Sequence, residues 1–413
     1  MRPVFIWMIG GASISLMLLR PRRSSEAFWV SIGALLLVLS RLMSLKRAIS
    51  SVRMGLDVYL FLAGMMLLAE LARHTGVFDW IAEIASRLAK GSPSRLFLLV
   101  YLVGVVVTAL LSNDATAVVL TPAVLAAVRR ADVEPRPHLL ACAFIANAAS
   151  FILPISNPAN LVVYGSHLPA LFDWLRVYWL PSVVSVACTF LCLRWMLRAS
   201  LRGSVPKHPA KVPLTADGRL ALAGLLFGAA VLLTASARGL PLGLPTCVAA
   251  LLALALVSWR DRQVLVAVVK GVSWSVLLLV AGLFVIVEAL NGAGLLDAAR
   301  SGLAEVSLAS PWLARFASGF SVSLLSNVMN NLPVALGSGT ALQRSGTHGP
   351  VAYAVLLGVD LGPNLSVTGS LATILWLIAL RRENVEITAW QFFKVGVVVM
   401  PVALALAIIS CPH

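Results

Sequence analysis

The 413-residue chain is poor in charge, because Asp, Glu, Lys and Arg make up only 12% of it while 60% is hydrophobic. Soluble globular domains carry about 25% charged residues, so this composition excludes a soluble protein and predicts one that spans a membrane. Acidic residues are the scarcer kind, 17 against 32 basic ones. The basic residues lie in short gaps between apolar runs, where they set membrane topology, and not on one face or arm as nucleic-acid binding requires.

The chain also lacks the short motifs of common catalytic and nucleotide-binding sites. It contains no HExxH, no GxSxG and no GxxxxGK[ST], so it is expected neither to be an enzyme nor to hydrolyse ATP by itself. Its five cysteines are scattered, and Cys188 and Cys192 lie in an apolar run, where cysteine acts as a small hydrophobe. We therefore expect no disulfide framework, no metal site and no cofactor.

Apolar runs of about 17–25 residues can cross a bilayer. Spans are predicted near residues 4–20, 27–43, 57–73, 138–170, 177–197, 219–236, 242–258, 268–290, 350–380 and 390–409. Those at 138–170 and 350–380 contain helix breakers and are predicted to be discontinuous. The stretches 93–128 and 311–343 are interrupted by Ser-Asn elements, which predicts re-entrant hairpins with tips near the membrane midplane. Residues 76–90 and 292–306 are amphipathic and are expected at the interface.

The chain repeats itself internally. The matches are Ala63-Gly64 with Ala281-Gly282, Glu70 with Glu288, Gly76 with Gly294 and Asp79 with Asp297, all spaced by 218 residues, then Ser112-Asn113 with Ser326-Asn327 at 214 and Ser156 with Thr368 at 212. This order predicts a first repeat at 1–197 and a second at 219–413, joined by a hydrophilic linker at 198–218. Each repeat has five spans, one of them broken, plus one re-entrant hairpin. An odd number of crossings inverts the second repeat, so the fold class is an all-α polytopic membrane protein with two inverted repeats.

Charge counting favours one orientation. With both termini outside, the cytoplasmic loops collect 22 of the 32 basic residues, in agreement with the positive-inside rule. A basic cluster at Arg41, Lys46, Arg47 and Arg53 lies on the opposite side. Glu70 and Glu288 stand at span ends and are expected to be interface-level carboxylates.

The two hairpin tips and the two broken helices are expected to meet at the midplane as a substrate site. The candidate binding residues are Ser112, Asn113, Thr116, Ser156, Asn157, Asn160, Ser326, Asn327, Asn330, Asn331, Asn364, Thr368, Gly369 and Ser370. Unwound backbone, half-helix N-termini and short polar side chains suit a small hydrogen-bonding solute or an oxyanion. Asp114 and Asp360 are candidates for proton coupling or for ligating sodium, because a carboxylate within a membrane is readily protonated or paired.

Other interpretations of these residues remain open. Polar side chains in membrane helices often only hold helices together. Asp114 and Asp360 are formally a carboxylate pair, which keeps an intramembrane enzyme as an alternative from another class. A channel is a further alternative, although closed hairpin tips and inverted repeats favour alternating access.

Several motifs are those of a known family. The first set is Phe78-Asp79-Trp80, Ser112-Asn113-Asp114-Ala115, Leu120-Thr121-Pro122 and Ser326-Asn327-Val328-Met329-Asn330-Asn331-Leu332-Pro333. A second stretch, from Gly358 to Trp376, resembles G-x-D-L-G-P-K-x-T-P-x-G-S-L-A-T-L-L-W almost throughout. Over about residues 25–410 the chain thus resembles the bacterial arsenite efflux pumps of the ArsB type, within the ion-transporter superfamily.

This resemblance implies export of arsenite, and usually antimonite, across the bacterial inner membrane, driven by proton influx. Some members also couple to a soluble ATPase subunit, which makes such a subunit a candidate partner. Arsenous acid is neutral and offers three hydroxyls to Asn, Ser and Thr side chains. The sequence departs from the family at Asn147, where I-A-D-T-A-S has aspartate, and at Asn364, where lysine follows G-P. The alternative is an ion-coupled carrier of a small anion such as a dicarboxylate.

Overall fold

A computed structural model describes residues 2–19, 21, 24–202, 212–294 and 310–412. Within these ranges the secondary structure is helical, without β-strands. Helices at Pro93–Leu110, Leu171–Met196, Ala216–Ala237, Arg262–Gly292 and Ala389–Ser410 are long and apolar enough to cross a membrane. The all-α polytopic fold is confirmed. The middle of the predicted linker, the repeat residue Asp297 and nearly all of the predicted interface segment 292–306 lie outside the described residues.

The first half of the chain begins with a run of helices and ends with one long helix. It contains α1 (Arg2–Leu19), α2 (Glu26–Leu39), α3 (Leu45–Met54), α4 (Leu56–His74), α5 (Val77–Leu88), α6 (Pro93–Leu110), α7 (Thr121–Arg130), α8 (Pro135–Ala148), α9 (Pro158–Tyr164) and α10 (Leu171–Met196). A π-helical segment, Ala115–Leu120, runs directly into α7.

The second half repeats this order of elements. It contains α11 (Ala216–Ala237), α12 (Gly243–Ser258), α13 (Arg262–Gly271), α14 (Ser275–Gly292), α15 (Pro311–Met329), α16 (Asn331–Ser345), α17 (Pro350–Leu361), α18 (Leu371–Arg382) and α19 (Ala389–Ser410). Helices α11–α14 correspond to α1–α4, and α15–α19 correspond to the hairpin, broken helix and last span of the first half. The start signals repeat too, since Ser92-Pro93 opens α6 and Ser310-Pro311 opens α15, 218 residues later.

Close approaches between the halves exchange with one another. Helix α4 packs on α12, and its counterpart α14 packs on α2. Both contacts depend on a repeat-matched glycine: a Cβ on Gly64 would lie 2.8 Å from the backbone of Thr246, and one on Gly282 would lie 2.7 Å from the Val30 side chain. Small residues allow membrane helices to approach closely. This reciprocal packing is consistent with inverted repeats.

Contacts between distant chain ends define two faces of the molecule. On one face Arg129 pairs with Glu383 at 3.3 Å and the Ser94 hydroxyl donates to the Leu201 carbonyl. On the opposite face the Asp57 carboxylate accepts from the Gly243 amide at 2.8 Å. The first face carries the loops that charge counting assigns to the cytoplasm. We call it the inner face and the other the outer face.

Two short amphipathic helices, α3 and α13, were not predicted. The basic cluster that lay on the wrong side falls on or beside α3, where Arg47 pairs with Glu288 at 2.9 Å. Helix α3 meets α4 at an angle of 50°. The predicted span at 268–290 is likewise divided, because α13 ends at Gly271 and α14 begins at Ser275. Both were hidden because each continues into an apolar helix without a polar gap.

Candidate functional site

The two predicted hairpins are present, and each turns at a residue with positive φ. In the first, α6 ends and Ser112 (φ 144°) accepts a hydrogen bond from the Ala115 amide at 3.3 Å. In the second, α15 ends and Asn330 (φ 73°) accepts from the Leu332 amide at 3.3 Å. Non-glycine residues rarely adopt positive φ, and where they do they cluster at functional sites. Each tip side chain thereby caps the second arm of its hairpin.

This geometry corrects the predicted second tip. Ser326 and Asn327 lie inside α15, about one turn before the bend, and the tip consists of Asn330 and Asn331. Ser112-Asn113 therefore corresponds to Asn330-Asn331 at a spacing of 218, the same as the earlier matches, and the match at 214 was wrong. The physical reason is that Ser326 bonds back to the Val322 carbonyl within its helix, so the Ser-Asn pair does not interrupt it.

The two broken helices are also present, with a common pattern. In the first, α8 is followed by a 3₁₀ turn at Pro154–Ser156, and Asn157 caps α9 by accepting from the Ala159 amide at 3.0 Å. In the second, α17 is followed by 3₁₀ turns, and Ser370 caps α18 by accepting from the Thr373 amide at 3.1 Å. Cap on cap gives a spacing of 213.

This spacing changes two pairings between the halves. Ser156 corresponds to Gly369 and not to Thr368, so the match at 212 was one residue off. Asp360 corresponds to Asn147.

Both hairpin tips and both half-helix N-termini converge on a central cavity of about 10 Å³, room for about one water molecule. The lining residues are Leu62, Asn113, Asp114, Asn157, Pro158, Val276, Asn331, Leu332, Ser370, Leu371 and Ala372. The predicted meeting of four elements is thus present in the structure. Five predicted site residues line this cavity, one carboxyl among them. The apolar wall residues gave no signal in the sequence, because they do not differ from ordinary lipid-facing positions.

A second cavity of about 80 Å³ connects this region with the inner face. Ser112 and Asp114 line it at one end, and Glu70 lines it together with Gly271 at the other. Glu70 is only 7% exposed and pairs with Arg73, so the expectation of an interface-level carboxylate was wrong at this position. It stays dry because α13 and the chain after it cover the end of α4. We call this the inner cavity.

A third cavity, of about 200 Å³, lies on the outer face. Its Phe284, Glu288 and Leu336 are the repeat counterparts of Met66, Glu70 and Val118 in the inner cavity. The residues lining this outer cavity do not include either residue of the second hairpin tip, whereas the inner cavity includes Ser112 and Asp114. The structure is therefore open toward the inner face.

Most of the remaining predicted site residues hold the interrupted elements together. Thr116 bonds Thr108 at 2.8 Å, Ser156 donates to the Ala109 carbonyl at 3.1 Å, Asn160 donates to the Ser150 carbonyl at 2.9 Å, Asn327 donates to the Gly362 carbonyl at 2.9 Å, and Thr368 donates to the Asn327 carbonyl at 2.9 Å. Gly369 lies where a Cβ would stand 2.5 Å from Pro363. These residues satisfy backbone groups that lipid cannot, so they shape the site without lining it.

Asp360 is enclosed one side chain behind the central cavity. It is fully buried, and its Oδ1 accepts a hydrogen bond from Asn157 Nδ2 at 2.7 Å. Its Oδ2 has no hydrogen-bond partner among the described residues. Its repeat counterpart Asn147 is 1% exposed and donates to Asn364 Oδ1 at 3.0 Å. The two positions at which the sequence departs from the resembled family are therefore in direct contact.

Comparisons with known proteins agree with this architecture. The family model described as citrate transporter (CitMHS) matches residues 15–359. An arsenical pump membrane protein of Escherichia coli is 30% identical over 349 residues, 81% of each chain. An uncharacterized transporter of Mycobacterium tuberculosis is 30% identical over 368 residues, 86% of this chain and 85% of that one.

Among solved structures, the Alcanivorax borkumensis YdaH transporter matches with a TM-score of 0.56, over 88% of this chain and 86% of that one. At 14% identity this likeness concerns the fold alone. The family match and the relatives together make the protein a multi-pass bacterial inner-membrane transporter and not an enzyme. The chain belongs to the citrate transporter (CitMHS) family and, within it, to the ArsB-type arsenical pump membrane proteins.

Proposed function

We propose that the protein exports arsenite from the cytoplasm in exchange for protons, by alternating access of a site at the central cavity. The observation that carries this proposal is the chemistry of the cavity wall. Its polar side chains are three asparagines, one serine and one aspartate, and no Lys, Arg or His occurs among its described lining residues. Such a wall offers hydrogen-bond donors and acceptors without a cationic side chain.

This wall suits a neutral trihydroxide better than an organic dianion. Arsenous acid presents three hydroxyls, which amide oxygens and the Asp114 carboxyl can accept and amide N–H groups can reciprocate. A dicarboxylate would face Asp114 without a matching cation, and repulsion between like charges is strong in a low-dielectric site. Antimonous acid has the same hydroxyl pattern and is the expected second cargo. The arsenical pump relatives support this choice of cargo.

The inner cavity supports export as the direction of transport. It gives the cytoplasmic solution a route to Asp114 between α4 and the first hairpin. The central cavity itself has room for about one water molecule, so cargo binding requires the hairpin tips to separate. We propose that this separation is coupled to protonation of a site carboxyl, Asp114 or Asp360. The protein carries no ATP-binding loop, so a soluble ATPase subunit is a candidate partner and not a requirement.

Arsenite uptake into everted membrane vesicles tests the proposal, with and without an imposed proton gradient. We expect gradient-dependent uptake that succinate and citrate do not inhibit. Asn113→Ala removes an amide from the central cavity and should reduce uptake at least tenfold. Ser338→Ala is the matched control, because its hydroxyl bonds the Val334 carbonyl away from the cavity. Absence of arsenite uptake in the wild type, or competition by the carboxylates, would instead indicate an organic-anion carrier.

A further inference from the structure

The two membrane-embedded aspartates lie in opposite structural settings. Asp114 lines both the central cavity and the inner cavity. Its side chain has no hydrogen bond or ion pair with the described residues. Asp360 lines neither cavity, is fully buried and is held by Asn157. Only one of the two carboxyls is therefore open to exchange with the aqueous solution in this conformation.

Helix ends place the two carboxyls in opposite fields. Asp114 stands at the start of the second hairpin arm, which continues through the π segment into α7 and ends at Arg130. Asp360 stands in the last turn of α17, which ends at Leu361. A helix N-terminus carries partial positive charge and stabilises an anion, while a C-terminus carries partial negative charge and opposes one. Asp114 can therefore ionise where it stands, and an ionised Asp360 would be opposed by its own helix.

The repeat shows which carboxyl the architecture can do without. Asp360 corresponds to Asn147, so the first half already builds this position with a neutral amide. Asp114 corresponds to Leu332, so its charge belongs to one half of the cavity only. A neutral group at the Asp360 position is thus compatible with the broken-helix geometry.

We infer that Asp114 is the carboxyl that exchanges its proton with the solution during transport, and that Asp360 is a positioning residue that keeps its proton and holds Asn157. This inference rests on the proposed proton-coupled export and assigns the coupling role within it. Protonated Asp360 retains Oδ1 as an acceptor for Asn157 Nδ2. Asn157 in turn caps α9 and presents its amide to the central cavity.

Other titratable groups around the Asp114 segment are accounted for by their own partners. Glu70 of α4 is the one that reaches the same cavity, and it is paired with Arg73. Glu83 of α5 pairs with Arg87 at 2.9 Å. His138 of α8 contacts the Glu134 carbonyl, and neither Glu83 nor His138 lines the inner or central cavity. The pH profile of proton-driven transport should therefore change most with Asp114.

Two variants separate the roles in everted vesicles. Asp114→Asn should abolish the acceleration of arsenite uptake by a proton gradient while arsenite counterflow at equal pH continues. Asp360→Asn should keep gradient-driven uptake within a few-fold of wild type with an unchanged pH profile, because the amide oxygen still accepts from Asn157. Asp360→Leu removes that acceptor and should lower uptake in both modes. Gradient-driven uptake that survives Asp114→Asn, or is lost in Asp360→Asn, would overturn the assignment.

A measurement that needs no cargo separates this inference from the proposed function. Dicyclohexylcarbodiimide reacts with accessible protonated carboxyls, and peptide mass spectrometry locates the adduct. We expect the adduct on Asp114 in wild-type membranes and none on Asp360. An adduct on Asp360 with Asp114 unmodified would overturn the inference. If the wild type transports no arsenite but Asp114 is labelled, the cargo is wrong and the assignment of the exchanging carboxyl stands.

Discussion

Asn147 of α8 donates a hydrogen bond from Nδ2 to Oδ1 of Asn364, 3.0 Å away, beyond the end of α17. Asn364 in turn donates to the Phe144 carbonyl at 3.1 Å, and both side chains are at most 1% exposed. The resembled family has aspartate and lysine at these two positions. The contact therefore joins the two broken helices with neutral amides at a place where the family motif would put opposite charges.

Charge can be restored at this contact only in pairs. Asn147→Asp or Asn364→Lys alone places an unpaired charge in the core and should destabilise the protein by about 3–5 kcal/mol. The double variant should recover most of that loss, because the two charges would meet. Thermal unfolding of the detergent-solubilised variants measures this. A double variant no more stable than the singles would show that the site does not admit an ion pair.

Closing the inner cavity should slow uptake from the cytoplasmic side. A Cβ on Gly271 would overlap the Glu70 carboxylate, which lines the cavity. Gly271→Ala should therefore raise the KM for arsenite several-fold in everted vesicles. Gly337→Ala is the control, because no atom lies within 4 Å of its added Cβ and alanine stabilises a helix by about 0.5–1 kcal/mol. Equal effects of the two substitutions would argue against access through this cavity.

The inverted topology can be tested by labelling a repeat-matched pair of positions. Val118 lines the inner cavity, and Leu336, 218 residues later, lines the outer one. In a variant without the natural cysteines, Val118→Cys should react with a membrane-impermeant thiol reagent in everted vesicles. Leu336→Cys should react in intact spheroplasts instead. Labelling of both from the same side would contradict inverted repeats with both termini outside.

Asn157 should matter for stability as well as for transport. Asn157→Ala removes the hydrogen bond to Asp360 and the cap of α9. We expect a loss of about 1–3 kcal/mol for the unpartnered buried carboxyl, with arsenite uptake reduced at least tenfold. Ser44→Ala, which removes a surface cap from α3, should cost about 1 kcal/mol and leave uptake unchanged. Unfolding temperatures of the two variants in detergent provide the comparison, and equal losses would assign Asn157 a capping role alone.

The interruption of apolar runs was readable from the sequence because polar residues within a membrane are conspicuous. The hairpins near Asn113 and Asn331 and the breaks near Pro154 and Pro363 all follow from that signal. The position of the second tip did not, since a Ser-Asn pair inside a helix resembles one at a turn until the backbone is seen. Positive φ at Asn330 decided between them.

The sequence by itself determined the solvent, the broken and re-entrant elements, and the set of polar residues from which the site is built. Hydropathy and helix breakers act locally, so they can be read along the chain. Only the tertiary structure decided which of those residues face the cavity: Asn157 and Asn331 line it, while Asn160 and Asn327 satisfy backbone groups elsewhere. The same holds for the two aspartates, because exposure to a cavity depends on helices that are distant in sequence and meet only in the folded protein.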